Sequence, residues 1–213
     1  METPYSVKNT WDLKGERTKQ EILEAAVSLF AKNGFHNTTI SQIAESARMT
    51  KGAFYCHFES KEAIFCEVVR EVKALWNSLI IKEIGKEGGA LEKLIKMLDI
   101  FMELTLKNKD QFVIFIVLIA EFTEVDEKFE RVLKDAFDEF FSSVSEIVEE
   151  GKRAGSIRTD IDSRLLAVTL IGAWQGILLQ WLLNRNQVIL NDLVSILNRF
   201  ILEGISVKGG SNG

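Results

Sequence analysis

Apolar positions recur at three- and four-residue intervals almost from end to end of this chain, a repeat that predicts helices rather than strands. Ile22, Ala25, Ala26, Leu29 and Phe30 form the first stripe, on a helix expected over Arg17–Asn33. Thr18 with Glu21 has the spacing of a capping box at its start, and Gly34 stands where a left-handed residue would close it. The sixteen residues before it lack periodicity and read as a mobile arm. Thr39 with Gln42 repeats the capping spacing and opens a short helix carrying Ile40, Ile43, Ala44 and Ala47. After a break at Arg48 and Met49, Thr50 caps another short helix through about His57. Ser60 caps a long one reaching about Ile84, with Glu62 in its first turn.

Gly85, Gly88 and Gly89 mark a linker. Beyond it Leu91, Leu94, Ile95, Leu98, Phe101 and Thr105 stripe a fifth helix, and a strongly apolar sixth spans about Lys109–Phe122. A seventh runs from Asp126 to about Arg153 and is closed by Gly155. An eighth starts after Asp162, and a ninth carries Leu190, Leu193, Val194, Leu197, Phe200, Ile201 and Ile205. The pattern is that of an all-α protein of about nine helices. It divides into an arm at 1–16, a three-helix head at 17–62, a larger helical body at 63–207 and a Gly/Ser-rich, disordered tail at 208–213.

Composition narrows the class. Hydrophobic residues make up 46% and charged ones 27% of 213 residues, a globular balance. The lone proline, Pro4, leaves long helices unbroken. The net charge of −5 argues against a protein that coats nucleic acid at large. Residues 1–66 are neutral overall, with equal numbers of basic and acidic side chains, so the deficit lies in the C-terminal two-thirds. Such a chain can touch DNA with its head alone. Cys56 and Cys66 lack metal-ligand spacing, and no secretory signal opens the chain, which suggests a reducing, cytoplasmic setting. They read as two inert thiols, with a redox switch as the alternative. Leu165–Leu183 carries no charge and is long enough to span a bilayer. Thr169, Gln175 and Gln180 within it, and the lack of a strong basic flank, favour a helix buried on all sides instead.

Three helices in the first sixty residues, the second and third short and tightly joined, describe a helix-turn-helix. Ala44 and Ala47 are small enough for two helices to cross closely. Phe54 and Phe58 are placed to pack against Leu29, Phe30 and Phe35. The other face of the third helix then presents Thr50, Lys51, Gly52, Ala53, Tyr55 and His57. Gly52 and Ala53 let the backbone approach a groove, while Lys51 and Tyr55 can reach phosphates or base edges.

At these residues the chain resembles the TetR family of regulators. The resemblance is carried by Gly34, Thr38-Thr39-Ile40, Ile43-Ala44, Ala47, Lys51-Gly52, Phe54-Tyr55, His57-Phe58 and Lys61-Glu62. It extends more loosely to Gly155-Ser156-Ile157-Arg158 and Trp174-Gln175-Gly176. It implies Thr38 or Thr39 on a phosphate, Lys51 at the groove, Tyr55 and His57 on the DNA backbone, and Lys61 on a phosphate. Thr39 has a helix-capping role as its alternative, and His57 and Lys61 that of plain surface residues. Two positions depart from the family. Arg48 stands in the turn where glycine is usual, at a cost of roughly 1 kcal/mol if φ is positive there, which a phosphate contact could offset. Cys56 replaces what is often a larger aromatic or polar residue.

No catalytic motif, metal cluster or cofactor-binding loop is present in the sequence, and both histidines, His36 and His57, lie in the head. The body instead carries aromatics on several helices, Phe112 and Phe137 among them, and core packing accounts for most of these. Between helices is also a favoured place for an apolar ligand. Phe101, Phe115, Glu121, Phe122, Phe141, Trp174 and Gln175 are the candidate ligand contacts. The eighth and ninth helices are too apolar for a monomer surface. Gly172 and Gly176, with Leu193 and Leu197, are expected at a homodimer interface. The expected function is a ligand-responsive regulator, released from palindromic double-stranded DNA by a small apolar or amphipathic effector and not inserted in a membrane. The alternative is a DNA-binding protein of the same build without an effector, in an architectural or cell-cycle role.

Overall fold

The structure, a computed structural model, describes residues 10–79, 84, 88–107, 109–123, 125–184, 186, 187 and 189–207. The first nine residues of the expected arm, the linker residue Gly85 and the tail at 208–213 lie outside them, as does the expected last turn of the fourth helix before Ile84. Among the described residues the elements are α1 (Thr10–Asn33), α2 (Ile40–Ser46), α3 (Lys51–Tyr55), α4 (Lys61–Leu79), α5 (Ala90–Lys107), α6 (Asp110–Phe122), α7 (Glu127–Arg153), α8 (Ser163–Leu183) and α9 (Leu190–Ile205). Extended pairing among them is limited to an isolated bridge between Ile157 and Ser206.

Helix α1 begins at Thr10, earlier than the expected start at Arg17, so Thr18 and Glu21 are interior positions rather than a capping box. Between Pro4 and Gly34 only Gly15 weakens a helix, and Arg17 pairs with Glu21 one turn on, at 3.4 Å. The other expected caps are present. Thr39 and Gln42 form a reciprocal capping box, and Thr50, Ser60 and Asp162 accept the backbone N–H of Ala53, Ala63 and Leu165.

The chain folds as two compact units. The first takes the described residues through Arg70 together with Asp110–Glu127; the second takes Glu71–Lys109 and the described residues from Lys128 onward. In the first unit α1 packs against α2 and α6. Its core is Ile22, Leu23, Ala26 and Phe30 with Ile43, Phe54, Ile64, Phe65, Ile114, Leu118 and Phe122. The segment 110–122, which the sequence groups with the body, thus belongs with the head's unit.

In the second unit α9 packs against α5 and α8. Helix α7 has a buried edge running Phe129, Leu133, Ala136, Phe140, Val144, Ile147, Val148 and Gly151. Gly151 is needed for close approach, because a Cβ there would overlap Ala90 and Ile157. The Gly155–Arg158 stretch also finds its reason. Gly155 (φ 71°) ends α7, and Ser156 and Ile157 donate back to the Gly151 carbonyl. Ile157 is fully buried, and the Arg158 N–H holds the Ile205 carbonyl at 2.9 Å.

Helix α8 is long and apolar enough to cross a membrane, yet it is not buried on all sides as its composition suggests: 33% of that apolar stretch is buried. Leu166, Ala167, Leu170, Ile171, Trp174 and Leu178 face the interior. Leu165, Val168, Gly172, Gly176, Leu179 and Leu183 are exposed.

Candidate nucleic-acid interface

Helix α3 is five residues long, too short to be stable alone, and it is held by its ends and one face. Thr50 Oγ1 accepts the Ala53 N–H at 3.1 Å, fixing the first turn. Phe54 is fully buried and Phe58 nearly so, their ring centroids 6.2 Å apart. With that face anchored, Thr50, Lys51, Gly52, Ala53 and Tyr55 are exposed together, Tyr55 at 47%, and His57 is half-buried beside them. Cys56 is also exposed on this short stretch.

The turn into α3 is closed by backbone bonds from Ala47 to Ile43, Arg48 to Glu45 and Met49 to Ala44. That pattern needs a left-handed residue, and Arg48 has φ 56°, the sole positive φ outside glycine among the described residues. Arg48 is exposed, two residues before Thr50, the N-cap of α3.

Thr39 is exposed and makes the capping box with Gln42, whose Oε1 accepts from the Thr39 N–H at 2.8 Å. Thr38 is different. It is 1% exposed, and its hydroxyl donates to the Gly34 carbonyl at 2.7 Å, so the expected phosphate contact does not belong to Thr38. Lys61, half-buried, is also engaged within the head. Its ammonium donates to the carbonyls of Phe35 (2.6 Å), Thr38 (2.8 Å) and His36 (3.4 Å) and lies 4.3 Å over the Phe35 ring. Burial pushes that ammonium below its ordinary value, against the carboxylates of Glu62 and Glu121, which raise it. In the free chain the ammonium's three donors are thus spent on three carbonyls. Lys61 staples the turn between α1 and α2.

Glu121 completes that staple. One of its carboxylate oxygens accepts the Phe35 N–H at 2.6 Å, and a Cβ on residue 34 (φ 81°) would run into the other. Glu121, a candidate ligand contact, thus reaches from α6 to the end of α1 within the first unit. Phe122 sits in the same core, its ring 5.1 Å from both Phe35 and Phe65, and Phe115 is buried in this unit too. A second ionic cluster lies nearby in sequence. Burial pushes Glu67 up, but Lys19 and Arg70, both bonded to it, outweigh burial and hold its carboxyl below the usual value.

The second unit brings together the other proposed ligand contacts. Phe101 and Trp174 have centroids 6.3 Å apart, and Phe140 lies 5.8 Å from Phe101 and 4.8 Å from Trp76. Phe137 stacks on Phe141 at 5.7 Å, and the Arg164 guanidinium lies 5.9 Å over Phe141. Gln175 is half-buried on α8, while the side chain of Phe112 lies outside the described residues. On α9 the outermost apolar residues are Ile196 and Phe200, with Leu193 and Leu197 half-buried behind them. The sequence pattern named the inner pair because it follows the helix stripe. A shallow depression of about 250 Å³ lies on the outer face, lined by Ile196, Arg199, Phe200 and Glu203.

A short, capped helix presented outward from a three-helix head, ahead of a separate helical body, defines a helix-turn-helix transcriptional regulator. Residues 22–68 match the bacterial regulatory proteins of the tetR family, and residues 90–196 match the tetracyclin repressor-like C-terminal domain. The chain belongs to the TetR family. It is 28% identical over 171 residues to the probable acrEF/envCD operon repressor of Escherichia coli K12, covering 79% of this chain and 77% of that one. Its structure is similar to that of the MbdR regulator from Azoarcus sp. CIB, with a TM-score of 0.78 and 27% identity over 89% of this chain and 100% of that one. It shares the fold of the regulator FadR from Bacillus subtilis, solved in complex with stearoyl-CoA, with a TM-score of 0.75 and 23% identity over 87% and 98%.

Proposed function

We propose that the chain is a homodimeric repressor that grips a palindromic operator through α3 and releases it when a small apolar or amphipathic effector enters the body. The observation that carries the reading is the exposed set Thr50, Lys51, Gly52, Ala53 and Tyr55 on a helix whose other face is locked by Phe54. Lys51 and Tyr55 reach bases or phosphates, Gly52 and Ala53 admit the groove wall, and Thr39, Arg48 and His57 add flanking contacts. Working on chromosomal DNA, the protein would act in the cytoplasm.

Two copies follow from the apolar outer face of α8 and α9. Leu165, Val168, Leu179, Leu183, Ile196 and Phe200 are exposed in one chain, and, apart from neighbouring residues and the helix's own backbone, no atom lies within 4 Å of a Cβ built on Gly172 or Gly176. A symmetric partner would cover this face, with the glycines admitting close approach. The effector reading is supported by the aromatic set of α4, α5, α7 and α8 and by a structural neighbour solved with a lipid-like ligand.

Duplexes selected from a randomised pool by the full chain supply the operator, and gel-shift titration at two salt concentrations supplies the test. Lys51→Ala should cost on the order of 1–3 kcal/mol if Lys51 reads a base. If it meets only phosphate, the loss should be uniform across sequences and the salt slope shallower by about one. Unchanged binding in both Lys51→Ala and Tyr55→Ala would remove α3 from the interface.

A further inference from the structure

We propose that Trp174 is the polar anchor of the effector seat, and that the effector is a neutral, largely apolar molecule whose carbonyl oxygen accepts a hydrogen bond from the Trp174 indole N–H. The inference rests on the ligand-responsive reading above and adds the ligand's chemical class.

The interior of the second unit is poor in polar groups, and those it has are already committed. Its buried polar residues among those described are Thr105 and Ser163. The Thr105 hydroxyl donates to the Phe101 carbonyl at 2.7 Å, and the Ser163 hydroxyl is bonded to Glu149. Trp174 stands apart. It is 2% exposed, it faces Phe101, and its Nε1 has no hydrogen-bond partner. The other buried unpartnered side-chain atom among the described residues is an acceptor, Asn198 Oδ1, whose amide nitrogen bonds Asp99 at 3.1 Å.

A buried indole N–H without an acceptor is unfavourable, and native proteins rarely leave one so. An acceptor arriving among these rings would relieve that penalty as it binds. The surroundings also select against charge. Phe101 packs on Trp174 and continues through Phe140 to Trp76, and among the described residues this unit buries no charged side chain that would offset the desolvation of an ion bound there. A carbonyl on an apolar frame satisfies both conditions: it accepts one hydrogen bond and carries no net charge.

The test uses the full chain and two probes of nearly the same shape, 2-acetylnaphthalene and 2-ethylnaphthalene, which differ in the carbonyl. Calorimetric titration of wild type and Trp174→Phe with each probe gives a double cycle. The ketone-to-hydrocarbon affinity ratio should fall about tenfold in Trp174→Phe, the size of one hydrogen bond, while hydrocarbon binding changes less. A second measurement needs no variant of Trp174. In ¹⁵N spectra of wild type, the Trp174 indole N–H resonance should move downfield with the ketone and not with the hydrocarbon. An equal ratio in both proteins, or an indole resonance indifferent to the ketone, would overturn the anchor while leaving the ligand-responsive reading intact. Failure of both probes to bind would overturn the anchor and count against an apolar effector altogether.

Discussion

Thr39 and Lys61 show how far single residues can be read before a structure exists. Thr39 was legible because its partner is three residues away, and the capping box needs no tertiary information. Thr38, its neighbour, looks identical in sequence, yet it is buried with its hydroxyl on the Gly34 carbonyl. Lys61 and Glu121 were not legible as partners of the α1–α2 turn, since they reach it from 26 and 86 residues away. The Lys61 assignment has a direct consequence. Lys61→Met keeps the stem over Phe35 and removes the three donors. With two of these bonds part-buried and the third exposed, the expected loss is about 1–2 kcal/mol of unfolding free energy in urea. The salt slope of operator binding should stay unchanged. A shallower slope with undiminished stability would return Lys61 to a phosphate.

At the scale of elements, the helices and their order followed from apolar spacing and caps, because both are local. What each helix packs against did not. Helix α6 is apolar nearly throughout, so its pattern could not say that it lies with α1 rather than with the body. Helix α8 carried the same ambiguity: with no charge between Leu165 and Leu183, nothing in sequence marks which side is left open. The structure leaves Leu165, Leu179 and Leu183 outward, and on α9 it is Phe200, 69% exposed, that stands furthest out. Phe200→Glu would set a carboxylate against the apolar partner face, a desolvation penalty of several kcal/mol if the pair forms as proposed. In the free chain the same side chain meets water, so folding should be spared. Light scattering should therefore report a folded monomer. A stable dimer in Phe200→Glu would place the interface elsewhere.

At the scale of the molecule, a neutral head and an acidic body fit a protein that touches DNA through one small surface. With a neutral head, the proposed contact through α3, rather than bulk charge, would supply specificity. In the proposed homodimer a second copy would double the short stretch of sequence that one five-residue helix can read. The geometry of a pair is demanding: half-sites must lie on one face of the duplex, about one helical turn or a multiple of it apart. Binding of the selected operator, compared with the same duplex carrying about five extra base pairs between its half-sites, roughly half a turn, tests this most directly. The account predicts that the insertion lowers affinity to that of unrelated DNA, and that about ten extra base pairs recover part of it. Equal affinity for the original and the half-turn duplex would contradict paired recognition by two α3 helices.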